Sequence, residues 1–188
     1  MTIAAANTVL APPAYAPSLR RLHWGIAVLI FAAIAAGLIA INLPRGELRG
    51  ELLAIHKSIG VTVLVLVLVR VLARIALSAP NYVPPLDALT LYASKFGHLG
   101  LYALMVALPV SGYVHSSAGS HPFNWFGLFP FPQWVAPDKA LDALAGGAHY
   151  IFVLCIGALL VLHIGATAWH ARVKKDGVLE SMWPNTGP

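Results

Sequence analysis

The sequence predicts an all-α integral membrane protein, a bundle of four spanning helices, and three observations support this fold class. Hydrophobic residues make up 59% of the 188 residues and charged residues only 10%, whereas a soluble domain carries about 25% charged residues. The mean hydropathy is +0.76. Apolar runs of about 20 residues recur four times, and a helix of that length crosses the hydrocarbon core. The chain is therefore predicted to cross a bilayer four times.

The basic residues lie at the ends of the apolar runs, although a sequence pI near 9.6 could suggest a nucleic-acid partner. Lys and Arg in such places orient a protein in a membrane, so membrane lipid is the expected contact and no nucleic acid is predicted. The single cysteine, Cys155, lies inside an apolar run. An intramolecular disulfide is therefore impossible, and we expect Cys155 to be a small packing residue.

The first half of the chain divides into a tail and two spans. Residues 1–18 form a flexible tail rich in Ala and Pro, without the basic region and continuous apolar stretch of a signal peptide. The first span runs from Leu22 to about Ile41. The connection 42–50 has the Pro and Gly content of a turn. A second span follows from about Leu52 to Leu77.

The second half continues with the loop 78–89, which contains three prolines. The third span runs from about Leu91 to Val114, and Pro109 is predicted to bend it. Residues 116–142 are interrupted by Pro and Gly and are rich in Phe and Trp, which favours a loop at the membrane interface. The fourth span contains the stretch from His149 to His170, and residues 177–188 form a C-terminal tail.

The distribution of Lys and Arg predicts the orientation. Four spans put both termini on one side, and that side carries twice as many basic residues as the other. The positive-inside rule therefore places both termini in the cytoplasm. The first side has Arg20, Arg21, Arg70, Arg74, Lys95, Arg172, Lys174 and Lys175, and the other has Arg45, Arg49, Lys57 and Lys139.

This topology sorts the eight histidines into two levels. The cytoplasmic level has His23, His98, His163 and His170, and the outer level has His56, His115, His121 and His149. His149 and His163 are fourteen residues apart, so they share a helix face about four turns, or roughly 21 Å, apart. A single histidine in a span commonly serves only as a hydrogen-bonding group, but a set sorted into two levels favours ligands.

Haem is the ligand that such a set fits best. Two imidazoles on facing helices at one depth can fill both axial positions of the iron. Zinc takes three or four close ligands, and only Glu51 adds a carboxylate. A proton relay would place Asp or Glu inside the spans, where none occurs. Spacing alone leaves His98 open as a cytoplasmic ligand, and a haem-free protein that uses its histidines structurally remains an alternative.

Five short segments and two histidines carry a family resemblance. They are LRRLHW at 19–24, IHKSIG at 55–60, LVRVLAR at 68–74, GHLGLYALMVALPVSGY at 97–113 and FGL at 126–128, together with His149 and His163. In this order and spacing they resemble the bacterial cytochrome b561 family over residues 19–176. Within that family the sequence is particularly similar to the group that oxidises superoxide and reduces ubiquinone.

The resemblance implies a four-span domain over residues 19–176 that encloses two b-type haems (heme b). His23 and His163 would bind the iron of the cytoplasmic haem, and His56 and His149 would bind the iron of the outer haem.

Two further side chains have predicted roles at the cytoplasmic level. Arg70 could clamp an anionic haem propionate, because a guanidinium offers two parallel donors to a carboxylate. His170 matches the position that the family associates with ubiquinone.

The implied activity is single-electron transfer from periplasmic superoxide to ubiquinone, across the bacterial inner (cytoplasmic) membrane. Lys57 is the candidate for attracting superoxide, because it lies beside His56 and carries positive charge. Segment 116–142 is either an interfacial loop or a lid over a cofactor or a quinone entrance. The alternative function is a cytochrome b subunit that relays electrons between quinone and a redox partner, either a dehydrogenase or a hydrogenase.

Overall fold

Four long helices make up most of the protein, for which a computed structural model describes residues 14–78 and 87–184. Each is long and apolar enough to cross a membrane, which confirms the predicted all-α fold with four spans. A two-stranded hairpin, β1 and β2, lies between the third and fourth helices. The elements are α1 Pro17–Asn42, α2 Glu47–Ala76, α3 Ala88–Ala118, β1 Asn124–Trp125, β2 Phe129–Pro130 and α4 Lys139–Trp169.

Each helix begins before the apolar run that predicted it, and α1 and α3 also end after theirs, so the predicted boundaries need correction. The last turn of α3 and the first turn of α4 take up both ends of the predicted loop 116–142, which leaves 119–138 as the connection. Hydropathy marks only the part of a helix that lies in hydrocarbon, whereas capping groups set its ends. Asp138 caps α4 by accepting hydrogen bonds from the backbone N–H groups of Ala140 and Leu141. Helix α3 also runs through Pro109 without interruption.

Three predicted connecting segments are described only in part. Residues 1–13 of the predicted tail 1–18, residues 79–86 of the loop 78–89 and residues 185–188 of the tail 177–188 lie outside the described residues. In the described part, α1 already begins at Pro17, a position where proline is favoured because the first N–H groups of a helix have no internal partner.

The helices pack as two antiparallel pairs. Helix α1 lies along α2, α3 lies along α4, and α2 also contacts α3. A buried cluster of Ile26, Ile59, Val63 and Val67 joins α1 to α2. Helix α4 makes its close backbone contacts with α3 and approaches α1 and α2 at few points. Side chains must therefore bridge the interval between α4 and the first helix pair.

Large apolar side chains cover the outside of the bundle. Leu72, Ile75 and Val161 each expose more than 60% of their surface. A soluble protein would bury such residues, whereas lipid covers them in a membrane. This surface agrees with the composition and identifies a multi-pass membrane protein.

The connection 119–138 folds back along the N-terminal half of α2. Gly127, with φ +74°, allows the tight turn between β1 and β2. The backbone N–H of Phe126 donates to Oγ of the buried Ser58 at 3.0 Å. The ammonium of Lys57 donates to the carbonyl of His121 at 2.9 Å. Adjacent residues of α2 thus hold this loop.

The C-terminal segment closes the opposite end of the bundle. After α4 the chain forms a π-helical turn, His170–Lys174, and a short 3-10 helix, Glu180–Met182. The indole N–H of Trp24 donates to the carbonyl of Met182 at 2.9 Å, and Nη1 of Arg20 donates to the carbonyl of Trp183 at 2.9 Å. The end of the chain therefore packs against the start of α1.

Replacing Asp138 with alanine should lower the free energy of unfolding by about 1 kcal/mol, because two backbone N–H groups of α4 lose their side-chain acceptor. Asp138→Asn retains an acceptor and should leave stability close to that of the wild type. Thermal unfolding followed by circular dichroism in detergent micelles measures both changes. Equal destabilisation by the two variants would contradict the capping role.

Candidate functional site

One histidine pair bridges the interval between α2 and α4. The ring centroids of His56 and His149 are 6.2 Å apart, and the ring planes are inclined at 84°. Both rings are partly buried. The predicted outer pair is therefore brought together, on helices whose backbones are not in close contact.

Backbone carbonyls orient both of these rings. Nδ1 of His56 lies 2.8 Å from the carbonyl oxygen of Ala33 on α1. Nδ1 of His149 lies 3.0 Å from the carbonyl oxygen of Leu108 and 3.2 Å from Oγ of Ser111 on α3. A carbonyl can only accept, so each Nδ1 carries the proton and donates it. The Nε2 lone pair of each ring is then available to a metal, the usual arrangement for a ligating histidine.

Two glycines allow these rings to lie where they do. A Cβ atom on Gly37 would lie 3.0 Å from Nδ1 of His56, and one on Gly112 would lie 3.0 Å from Cε1 of His149. These distances are shorter than van der Waals contact, so any side chain would displace the imidazoles. Sequence reasoning missed both positions. Glycine is common in membrane helices, and its role here depends on contacts between helices.

A second pair lies at the other level. The rings of His23 on α1 and His163 on α4 have centroids 6.2 Å apart and planes inclined at 66°. His98 on α3 also reaches this level, with its ring centroid 5.5 Å from that of His163. Nδ1 of His98 lies 2.7 Å from the carbonyl oxygen of Ser94, one turn earlier in its own helix.

The spacing of the two pairs fits axial ligation of a haem iron. An imidazole nitrogen binds a first-row metal at about 2.0–2.1 Å, so two rings on opposite sides of one iron have centroids about 6.3 Å apart. The His56 and His149 pair and the His23 and His163 pair match this separation. His98 and His163 are closer than it allows. The geometry therefore favours His23 over His98, a choice that spacing in the sequence left open.

Arg70 brings a buried positive charge to the level of His23, His98 and His163. Its residue exposure is only 6%. Nε donates to the hydroxyl of Tyr102 at 3.1 Å, and Nη1 donates to the carbonyl of Leu19. A guanidinium has five N–H donors, so these two contacts are compatible with an additional carboxylate such as a haem propionate. The predicted propionate clamp stays a prediction.

Lys57 has more contacts than the sequence suggested. Besides donating to the carbonyl of His121, its ammonium lies 5.5 Å from the ring centroid of Phe123. Lys57 therefore places a positive charge one residue from His56 and also holds the outer loop against α2. Its predicted role in attracting superoxide stays a prediction.

The remaining histidines have carboxylate or backbone partners. Nδ1 of His115 lies 2.6 Å from Oδ1 of Asp142 near the outer end of the bundle. The backbone carbonyl of His121 also accepts from Oγ of Ser116 at 2.6 Å. Nδ1 of His170 lies 2.5 Å from Oδ2 of Asp176. The sequence did not single out Asp142 or Asp176. The pairing of Asp142 with His115 depends on contact between two helices, and the pairing of Asp176 with His170 depends on how a helix ends.

Comparisons with known proteins show which family the chain resembles. Residues 14–185 match the family model of prokaryotic cytochrome b561. Two relatives from Escherichia coli (strain K12), named cytochrome b561 homolog 2 and cytochrome b561 homolog 1, are each 30% identical to the chain. The alignment with homolog 2 covers 91% of this chain and 92% of the relative. The alignment with homolog 1 covers 87% and 93%, respectively.

Gly112→Ala should reduce haem binding at the outer level, because the added methyl group would displace the ring of His149 from the position in which it faces His56. The expected result is a lower ratio of extracted haem to protein than in the wild type, with a shifted electron paramagnetic resonance signal from any haem retained at that level. Gly147→Ala is the matched control, since a Cβ at that exposed position meets nothing within 4 Å. Equal haem content and identical spectra in both variants would contradict the proposed contact.

Proposed function

Because the chain belongs to the prokaryotic cytochrome b561 family, whose members are membrane b-type cytochromes that transfer electrons, we propose that it carries two haems and passes single electrons across the membrane from superoxide to ubiquinone. The observation that carries this proposal is the presence of two imidazole pairs, each with centroids 6.2 Å apart, at two levels of one bundle.

The four histidines hold the cofactors and fix their depth. Haem iron held by two imidazoles would supply a couple that gains and loses one electron at a time. His56 and His149 would bind the outer iron, with Nδ1 of each ring held by a backbone carbonyl. His23 and His163 would bind the inner iron. Buried Arg70 would neutralise a propionate there.

The proposed donor is superoxide, which gives up one electron and leaves as dioxygen. Superoxide is a small anion, and positive charge near a redox centre raises its local concentration. Lys57 is the nearest basic residue in sequence to an outer ligand. Two superoxide anions supply the two electrons that, with two protons, convert one ubiquinone to ubiquinol.

The proposed acceptor site is at His170, seven residues beyond His163, in the π-helical turn that follows α4. Its side chain is 13% exposed, and it lies at the end of a spanning helix, the level at which a membrane-soluble quinone could reach it. We place the protein in the bacterial inner membrane with both termini in the cytoplasm. The excess of Lys and Arg on the side of the termini supports this orientation.

The purified protein tests the proposal directly. A reduced-minus-oxidised spectrum and a haem assay should show b-type haem at two per chain. Superoxide should then reduce the haem at about 10⁸ M⁻¹s⁻¹ or faster, as expected for an electrostatically steered encounter, and one ubiquinol should form per two superoxide anions. One haem per chain would contradict the di-haem assignment. Slow haem reduction without ubiquinol would favour a cytochrome subunit fed by a dehydrogenase or hydrogenase partner.

Lys57→Gln should slow haem reduction by superoxide roughly tenfold at low ionic strength, and the difference should shrink as salt screens the charge. Stopped-flow absorbance at several salt concentrations measures the effect. Lys139→Gln removes another basic side chain on the same membrane side and should change the rate far less.

A second control separates the charge of Lys57 from its contact with the loop. Ser58→Ala removes the hydrogen bond from Phe126 and loosens the same loop without changing any charge. If Ser58→Ala lowered the rate as much as Lys57→Gln, with the same salt dependence, electrostatic attraction by Lys57 would be refuted.

A further inference from the structure

The chain changes its helical geometry at His170. The backbone N–H of Lys175 donates to the carbonyl of His170 at 2.6 Å, five residues back, so the last turn is wider than an α-helical turn. Lys175 then adopts a left-handed conformation with φ 52°, and Gly177 follows with φ 78°. Turns of this width occur at helix C-termini, where they redirect the chain.

This turn brings Asp176 back to His170. In a regular α-helix, residues six apart point in directions about 120° apart around the helix axis. Here Oδ2 of Asp176 lies 2.5 Å from Nδ1 of His170, and the two side chains are 22% and 13% exposed. The backbone N–H of Val178 also approaches Oδ1 of Asp176 at 3.4 Å. The pairing is thus a product of the way the helix ends.

A carboxylate at Nδ1 determines what the other ring nitrogen can do. It holds the imidazole in one orientation and stabilises the ring when a second proton binds. With Nδ1 engaged, Nε2 is the nitrogen that remains for a ligand. A doubly protonated ring held in this way can donate a proton from Nε2 to an oxygen atom.

The neighbouring charges leave Asp176 available for this role. Lys174 lies 3.5 Å from the carboxylate of Asp87 at the start of α3. Hydrogen bonds from the backbone N–H and hydroxyl of Thr90 lower the pKa of Asp87 to about 2. Asp87 is therefore ionised at neutral pH and faces Lys174, while Asp176 faces His170.

We propose that Asp176 positions His170 to donate protons to ubiquinone, a role that rests on the function proposed above. Reduction of one ubiquinone takes two electrons, which arrive singly from the level of His23 and His163, and two protons. Each proton leaves Nε2 of His170 as an N–H bond breaks and an O–H bond forms on the quinone. Water at the cytoplasmic surface then returns a proton to Nε2, while the carboxylate of Asp176 stays hydrogen-bonded to Nδ1 of the ring.

Reoxidation of the reduced holoprotein by ubiquinone-1 tests this role. Asp176→Asn keeps an oxygen acceptor but has no charge with which to stabilise a doubly protonated ring. The rate of haem reoxidation at saturating ubiquinone-1 should fall about 10- to 100-fold, the usual cost of losing the partner that orients a functional histidine. The ubiquinone-1 concentration giving half the maximal rate, the haem content and the rate of haem reduction by superoxide should stay near wild-type values.

Asp87→Asn is the matched control, because it makes the same chemical change on the same side of the membrane and asparagine can still cap α3. Asp176→Glu restores the charge and should recover most of the reoxidation rate. If Asp176→Asn loses haem, Asp176→Glu provides the comparison with the wild type instead. A Glu variant as slow as the Asn variant, or as slow as a haem-depleted variant, would refute positioning by the charge.

The two proposals fail in different ways. A wild-type protein that ubiquinone-1 does not reoxidise would refute quinone reduction itself, and the role of Asp176 with it. If ubiquinone-1 reoxidises the wild type rapidly and reoxidises Asp176→Asn at a rate within twofold of the wild-type rate, the role of Asp176 alone is refuted. Equal slowing in Asp87→Asn would also refute it, because the effect would then belong to surface charge.

Discussion

The structure depends on one geometric constraint, which is that two pairs of imidazoles must face each other across a gap in a membrane bundle. Membrane helices normally associate by close packing of small residues, but the backbone of α4 stands away from α1 and α2. The histidine pairs cross this interval with ring centroids 6.2 Å apart. A flat cofactor held between the two rings of a pair would fill such a space and link α4 to the first helix pair.

The polar groups inside the bundle serve this arrangement. A charged or hydrogen-bonding side chain in a membrane is costly unless it has partners. Ser58 is fully buried and bridges to Phe126, while Arg70 is shared between Tyr102 and the carbonyl of Leu19. The carbonyls that accept from Nδ1 of His56 and His149 come from neighbouring helices, so helix packing itself selects the tautomer of each ring. The contacts of α1 with α2 and of α3 with α4 therefore orient His56 and His149.

Much of this could be predicted from the sequence, and what could not has a common cause. Apolar runs revealed four spans, and a fourteen-residue interval placed His149 and His163 at two levels on one face, since both depend only on the local period of a helix. Helix ends were predicted less well, because the apolar run ends before the helix does and caps such as Asp138 set the boundary. Gly112 and Asp176 were missed because their significance arises from a neighbouring helix or a non-α turn. The choice between His23 and His98 likewise needed a distance between helices.

The division of ligands between the two ends of the chain also orders its biogenesis. One histidine of each pair, His23 and His56, is synthesised on α1 and α2, and both of their partners arrive only with α4. Chains are made from the N-terminus, so a nascent chain with three inserted helices has one histidine of each pair and no complete pair. A haem held by both histidines of a pair would therefore gain its second ligand only after the fourth helix has entered the bilayer, and a chain truncated before α4 would have neither pair.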